Sequence, residues 1–224
     1  MHASLHREPV SRRLPWWALV IGLTIAYSPM FLNRIARSLG MTWSWLEGPP
    51  SVLVWNWIVV FCLFLFIFLY ERRTLSSIGL VKPSGKDIQW AFIFWAGSLA
   101  VSWLAHALLP PPPSSGLDVI LALSIPVLIM IIFTTSITEE ILYRGFAIER
   151  LRELTGSTAV AVVISFALFV LPHILFFGAH WLLYHGLSAV LIYVLYVWRR
   201  NLFACMLMHL LGNLMILIPA LGYG

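Results

Sequence analysis

Unbroken apolar stretches of roughly 20 residues, separated by short polar segments, organise this chain and have the length a bilayer core requires. They run Leu14 to Leu32, Ser51 to Tyr70, Gln89 to Leu109, Val119 to Leu142, Ser157 to Phe177, Ala179 to Trp198 and Leu202 to Leu221. None shows the period-two alternation of a strand. The pattern predicts an all-α, polytopic transmembrane helical bundle of about seven spans. Pro110 to Pro113 with Ser114, Ser115 and Gly116 predict a stiff loop at one side, and Ser76 to Lys86 a linker at the other. The first run is followed by charged residues and not by a small-residue cleavage site, so it is expected to stay as a span. A division follows, with residues 1–118 holding three helices and a cytoplasmic linker and residues 119–224 holding four.

Composition agrees and adds a direction. The 224 residues are 61% hydrophobic and 10% charged, with a mean hydropathy of +0.92, so lipid is the expected solvent. Trp16, Trp17, Trp43, Trp45, Trp90, Trp181 and Trp198 fall near run ends, where headgroups meet acyl chains. Taking the gaps alternately, one side holds Arg7, Arg12, Arg13, Arg72, Arg73, Lys82, Lys86, Arg144, Arg150, Arg152, Arg199 and Arg200, and the other only Arg34 and Arg37. This places the N-terminus in the cytoplasm and the C-terminus outside. The basic residues form no continuous face, so the net charge of +5 predicts topology and not nucleic-acid binding. Cys62 and Cys205 lie inside apolar runs and predict no disulfide framework.

Ionisable groups inside spans are costly, and they gather in the second half of the chain. The fourth run reaches Glu139, Glu140 and Arg144, the fifth carries His173, and the seventh carries His209 and Asn213. Glu140 and Arg144 are four apart and share a helix face, whereas Glu139 is turned about 100° away and keeps a free carboxylate. Measured by helical rise from the basic end, Glu139 lies about 17 Å deep, His173 about 24 Å, His209 about 14 Å and Asn213 about 20 Å. One cavity can collect them. A carboxylate, two imidazoles and an amide there suit activation of a water and stabilisation of an oxyanion. His106, His180 and His185 fall near the opposite ends of their runs and read as interfacial residues.

The residues Glu139-Glu140-Ile141-Leu142-Tyr143-Arg144-Gly145 form an EExxxR pattern, Phe169 to His173 an FxxxH pattern, and His209 to Asn213 an HxxxN pattern. In this order, each on its own span, they resemble the intramembrane CAAX-processing and bacteriocin-processing (CPBP, or Abi) protease family. The resemblance covers Ile137 to Asn213. It implies an endopeptidase acting on a membrane-associated protein or peptide, with Glu139 and His173 activating water, His209 and Asn213 stabilising the oxyanion, and Glu140 with Arg144 bracing the site. Compact loops resemble bacterial members, which implies a bacterial inner membrane. The family is often described as metalloproteases. The sequence requires no cofactor and has no HExxH, although Glu139, His173 and His209 have the ligand count of a catalytic zinc site.

Other functions fit less well. Both lysines, Lys82 and Lys86, are in a loop, which disfavours a retinal Schiff base, and no GxSx pattern near a span centre suits a rhomboid-type serine nucleophile. Bis-histidine haem ligation by His173 and His209 leaves the glutamates unexplained. A catalytically inactive scaffold or immunity-type binding protein of the same fold is the alternative.

Overall fold

A computed structural model describes residues 14–41, 43, 46–110 and 112–222, so Arg7, Arg12, Arg13 and Trp45 lie outside the described residues. Every regular element among those described is helical. The helices are α1 (Trp16–Tyr27), α2 (Pro29–Ser38), α3 (Val52–Leu65), α4 (Gly85–Leu108), α5 (Ser115–Leu121), α6 (Ile125–Glu139), α7 (Glu149–Thr155), α8 (Thr158–Phe177), α9 (Trp181–Arg199), α10 (Leu202–Leu214) and α11 (Leu217–Ala220). Six continuous helical stretches are long and apolar enough to cross a membrane: Pro49–Glu71, Gly85–Leu108, Ile125–Thr155, Thr158–Phe177, Trp181–Arg199 and Leu202–Ala220. The protein is a multi-pass membrane helical bundle.

Three predicted runs take a different shape. The first is not one straight helix, because α1 and α2 meet at a 78° bend. Pro29 sits at the first turn of α2, where it cannot continue the hydrogen-bond ladder back into α1. The pair still reaches both ends of the Pro49–Glu71 stretch. Trp17 packs edge-on against Tyr70 at 5.8 Å, and Asn33 donates to Ser51 at 2.8 Å. The fourth run is divided: α5 ends before Ser124, the N-cap of α6, and Pro126 lies in the first turn of α6. Past Glu139 the helix does not stop but widens into a π-helical segment over Glu140–Ile148 and continues through α7. Arg144, assigned above to a polar gap, is therefore fully buried inside the bundle and carries no topological information. The seventh run breaks after Leu214 into the short α11.

Polar contacts sort the loops to two ends. At one end Arg150 pairs with Glu71, Arg73 with Glu153, Arg199 with Asp87 at 2.6 Å, and Arg200 with Glu149 at 2.7 Å. At the other, Ser114 donates to the Phe177 carbonyl at 2.9 Å and Tyr184 to the Leu109 carbonyl at 2.7 Å. His106 and His180 both pack on the Tyr184 ring there, as their expected position requires. This is the alternation read from the basic residues. The predicted linker is an ordered strap: Leu75–Ile78 form one tight turn, and Ser84 caps α4 in a reciprocal capping box with Asp87.

Packing brings α4 against α9 and α10, α3 against α6, and α10 and α8 against the Glu140–Ile148 segment. The core is built from Leu63, Ile67, Phe146, Ala147, Leu195, Leu202, Cys205 and Met208. Both cysteines are free thiols.

Candidate active site

The wide turn at Glu140–Ile148 opens the backbone ladder, and the protein satisfies a carbonyl there from another helix. Ser165 donates to the Tyr143 carbonyl at 2.6 Å. With its proton so used, Ser165 accepts from the Tyr193 hydroxyl, 3.1 Å away. That chain fixes the Tyr193 ring beneath Arg144. The guanidinium lies between two aromatic faces, with its carbon 3.9 Å from the Phe169 centroid and 4.3 Å from that of Tyr193. Stacking of this kind suits the flat guanidinium and offsets part of the cost of burying it.

Glu140 and Arg144 do meet across one turn, with 3.2 Å between Oε1 and a terminal guanidinium nitrogen and neither side chain exposed. No Arg144 N–H is aligned for a hydrogen bond among the described residues, so the pairing is coulombic and the orientation is set by the rings. Glu140 Oε1 also accepts from His209 Nδ1 at 2.7 Å. His209 thus turns its Nε2 toward Glu139, whose Oε2 is 4.0 Å away. That Glu139 oxygen is buried and has no hydrogen-bond partner among the described residues. The spacing argument separated the two glutamates in this same way.

His173 donates its Nδ1–H to the Phe169 carbonyl at 2.8 Å, which fixes the tautomer and leaves Nε2 as the free ring nitrogen. Its ring is held between Phe169, 4.7 Å away, and Trp181, 4.6 Å away. No hydrogen bond or ion pair joins it to Glu139; Phe169, which also borders His209 at 6.5 Å, is the common wall. Asn213 lies one turn beyond His209 and donates to Thr135 Oγ1 and Ser136 Oγ, both at 3.2 Å. Glu139, Glu140 and Arg144 thus lie in the Thr135–Arg144 stretch, His209 and Asn213 contact that stretch, and His173 borders it through the Phe169 ring.

Several contributors escaped the sequence reading. Thr135 and Ser136, Tyr193 and Trp181 touch predicted site residues, Ser165 holds Tyr193 in place, and Asn56 of α3 donates to Thr138 at 3.0 Å, beside Glu139. The run Thr134-Thr135-Ser136-Ile137-Thr138 was the available signal, since four hydroxyls in five residues are unusual in a span. The predicted zinc ligands are not grouped. Among the described residues no three His, Cys, Asp or Glu side chains stand together as a metal site. Glu139, His173 and His209 as arranged here do not fit a zinc ion.

Residues 121–215 match the family model described as type II CAAX prenyl endopeptidase Rce1-like. This segment resembles the Rce1-like endopeptidases. The Rce1-like segment contains all six candidate residues and agrees with the CPBP resemblance carried by the three motifs. It runs from the end of α5 to just past α10, leaving α1 to α4 unmatched. No curated protein and no solved structure matches the chain.

Proposed function

We infer that the protein is an intramembrane endopeptidase of the CAAX-protease type, hydrolysing a peptide bond of a membrane-associated protein or peptide. The observation that carries this reading is the buried, unpartnered Glu139 oxygen beside an imidazole whose other nitrogen is already held by a second glutamate. A carboxylate so placed can accept a proton, whereas Glu140 is neutralised by Arg144 and engaged by His209. Glu139 takes a proton from water as the oxygen attacks the peptide carbonyl. His173, tethered through Nδ1, offers Nε2 as a second point for holding that water. The tetrahedral intermediate collapses when Glu139 returns the proton to the leaving amine. No step calls on a grouping of ligands that the site lacks.

The test uses purified protein in proteoliposomes with a farnesylated CAAX reporter peptide and its unprenylated counterpart. Wild type should cleave at least one of them, Glu139→Gln should cleave neither, and a chelator should leave wild-type turnover intact. A wild type that cleaves neither favours the scaffold alternative. Loss on chelation restored by zinc would reassign Glu139, His173 and His209 as ligands.

A further inference from the structure

At the basic end the contacts of Glu149 leave positive charge over. Its carboxylate is buried and fully engaged: Oε1 accepts from the Tyr196 hydroxyl at 3.0 Å, and Oε2 receives both Arg152 at 2.8 Å and Arg200 at 2.7 Å. Two guanidiniums share one negative charge. Glu153, the next acid on α7, is already paired with Arg73 and Arg150. Among the described residues neither Arg152 nor Arg200 has a second acidic partner, and their side chains stay 40% and 43% exposed. Two donor forks therefore present one uncompensated charge outward.

The two arginines line a recess with Ile148, Thr158, Tyr196 and Val197 where α7, α8 and α9 meet over Glu149. Its enclosed part is only about 20 Å³, room for roughly one water-sized group, so a ligand enters with one small polar group and keeps its bulk outside. The exposed Thr158 hydroxyl makes no hydrogen bond among the described residues and adds a third donor. Toward the middle of the bundle, the first two turns of α8 expose Val160 and Val163, and the last two turns of α9 expose Val194 and Val197. A charged mouth continued by an apolar bed between two spans is the profile of a phospholipid.

We propose that this recess binds the phosphate of one anionic phospholipid in the leaflet at the basic end, with Arg152, Arg200 and Thr158 as donors and the acyl chains along the valines of α8 and α9. Arginine forks match phosphate oxygens in shape as well as charge. An anionic headgroup neutralises the residual charge, whereas a zwitterionic one brings its own cation back to the arginines. The site therefore selects phosphatidylglycerol over phosphatidylcholine. Ile148 closes the wide Glu140–Ile148 segment, so the lipid rests against the element that carries Glu140 and Arg144.

The test is native mass spectrometry of the full chain in detergent, titrated with phosphatidylglycerol or with phosphatidylcholine of the same acyl chains. Wild type should take up one phosphatidylglycerol with a Kd about tenfold below that for phosphatidylcholine, the scale of a charge-assisted hydrogen bond. Arg152→Gln leaves Arg200 on Glu149 and should abolish most of that preference. Lys82→Gln with Lys86→Gln removes charge from the same end but outside the recess, and should leave the preference intact. Equal affinity of wild type for the two lipids, an unchanged preference in Arg152→Gln, or an equal loss in the lysine variant would each overturn the proposal. Should Arg152→Gln fail to fold, Thr158→Val takes its place, and an unchanged preference there overturns it. Millimolar inorganic phosphate should not displace the bound phosphatidylglycerol; displacement would make the recess a site for free anions and overturn the assignment to lipid.

Discussion

His209 donates Nδ1–H to Glu140 at 2.7 Å, which makes one glutamate the orienting group for the imidazole that faces the other. Paired acids usually compete for a proton. Here Arg144 and His209 give Glu140 a fixed place in the framework and leave Glu139 for chemistry.

The two carboxylates should therefore respond differently to the same change. Glu139→Gln removes a group with no ion pair to Arg144 and should leave Tm in detergent nearly unchanged while turnover disappears. Glu140→Gln strands the buried guanidinium, and should lower Tm as well as turnover. Parallel unfolding and cleavage measurements decide this; a well-folded, inactive Glu140→Gln beside a fully active Glu139→Gln would exchange the roles.

Removing Arg144 is expected to be severe. Arg144→Met leaves Glu140 charged and buried, a defect on the order of 3–5 kcal/mol. Folded yield in detergent should fall sharply, and Glu140→Gln with Arg144→Met should recover part of it, since the aromatic slot formed by Phe169 and Tyr193 accepts an apolar chain. Equal yields for wild type, single and double variants would show the pair to be unimportant to the fold.

Gly145 should not tolerate alanine. A Cβ there would lie 2.8 Å from the Ile78 carbonyl and 2.7 Å from Leu202 Cδ1. Backbone on one side cannot yield as a side chain can, so Gly145→Ala should cost about 1–3 kcal/mol of stability. Turnover should fall with it, because the strap presses directly behind Arg144. A Tm within a degree of wild type would contradict the close approach.

Topology can be checked from the ends. A tag at residue 1 should be cytoplasmic and a tag at residue 224 external, because Trp17 and Asn33 reach opposite ends of the Pro49–Glu71 stretch, and the bent α1–α2 pair taken as one crossing adds to the six continuous stretches to make seven. Protease shaving of oriented vesicles should remove only one tag from each face. Both tags on one side would mean that α1 and α2 turn back within the bilayer.

Much of the fold was legible because lipid imposes one rule on every span: twenty apolar residues with backbone bonds closed internally. Runs such as Ser157 to Phe177 met that rule and matched α8 closely. Breaks inside runs were not legible, because Pro29 and Ser124 are locally compatible with a continuing apolar stretch. The wide turn after Glu139 was hidden too, yet the Glu140–Arg144 contact survived it, since residues four apart stay near one face in α- and π-geometry alike. The motif residues stood out because charge is rare in a span. Their supports, Ser165, Tyr193 and Trp181, are residue types that fill spans everywhere and gain meaning only from what they touch.

The ion pairs at the basic end also constrain the order of assembly. Glu71 closes the Pro49–Glu71 stretch but binds Arg150, 79 positions later, and Asp87 at the start of α4 waits 112 positions for Arg199. During synthesis these acids enter the bilayer's edge without their arginine partners, and the pairs to Arg199 and Arg200 form only after α9 has been inserted. Biogenesis should therefore include a late locking step at this end, when the arriving Arg199 and Arg200 draw α4, α7 and α9 into one frame before α10 completes the bundle.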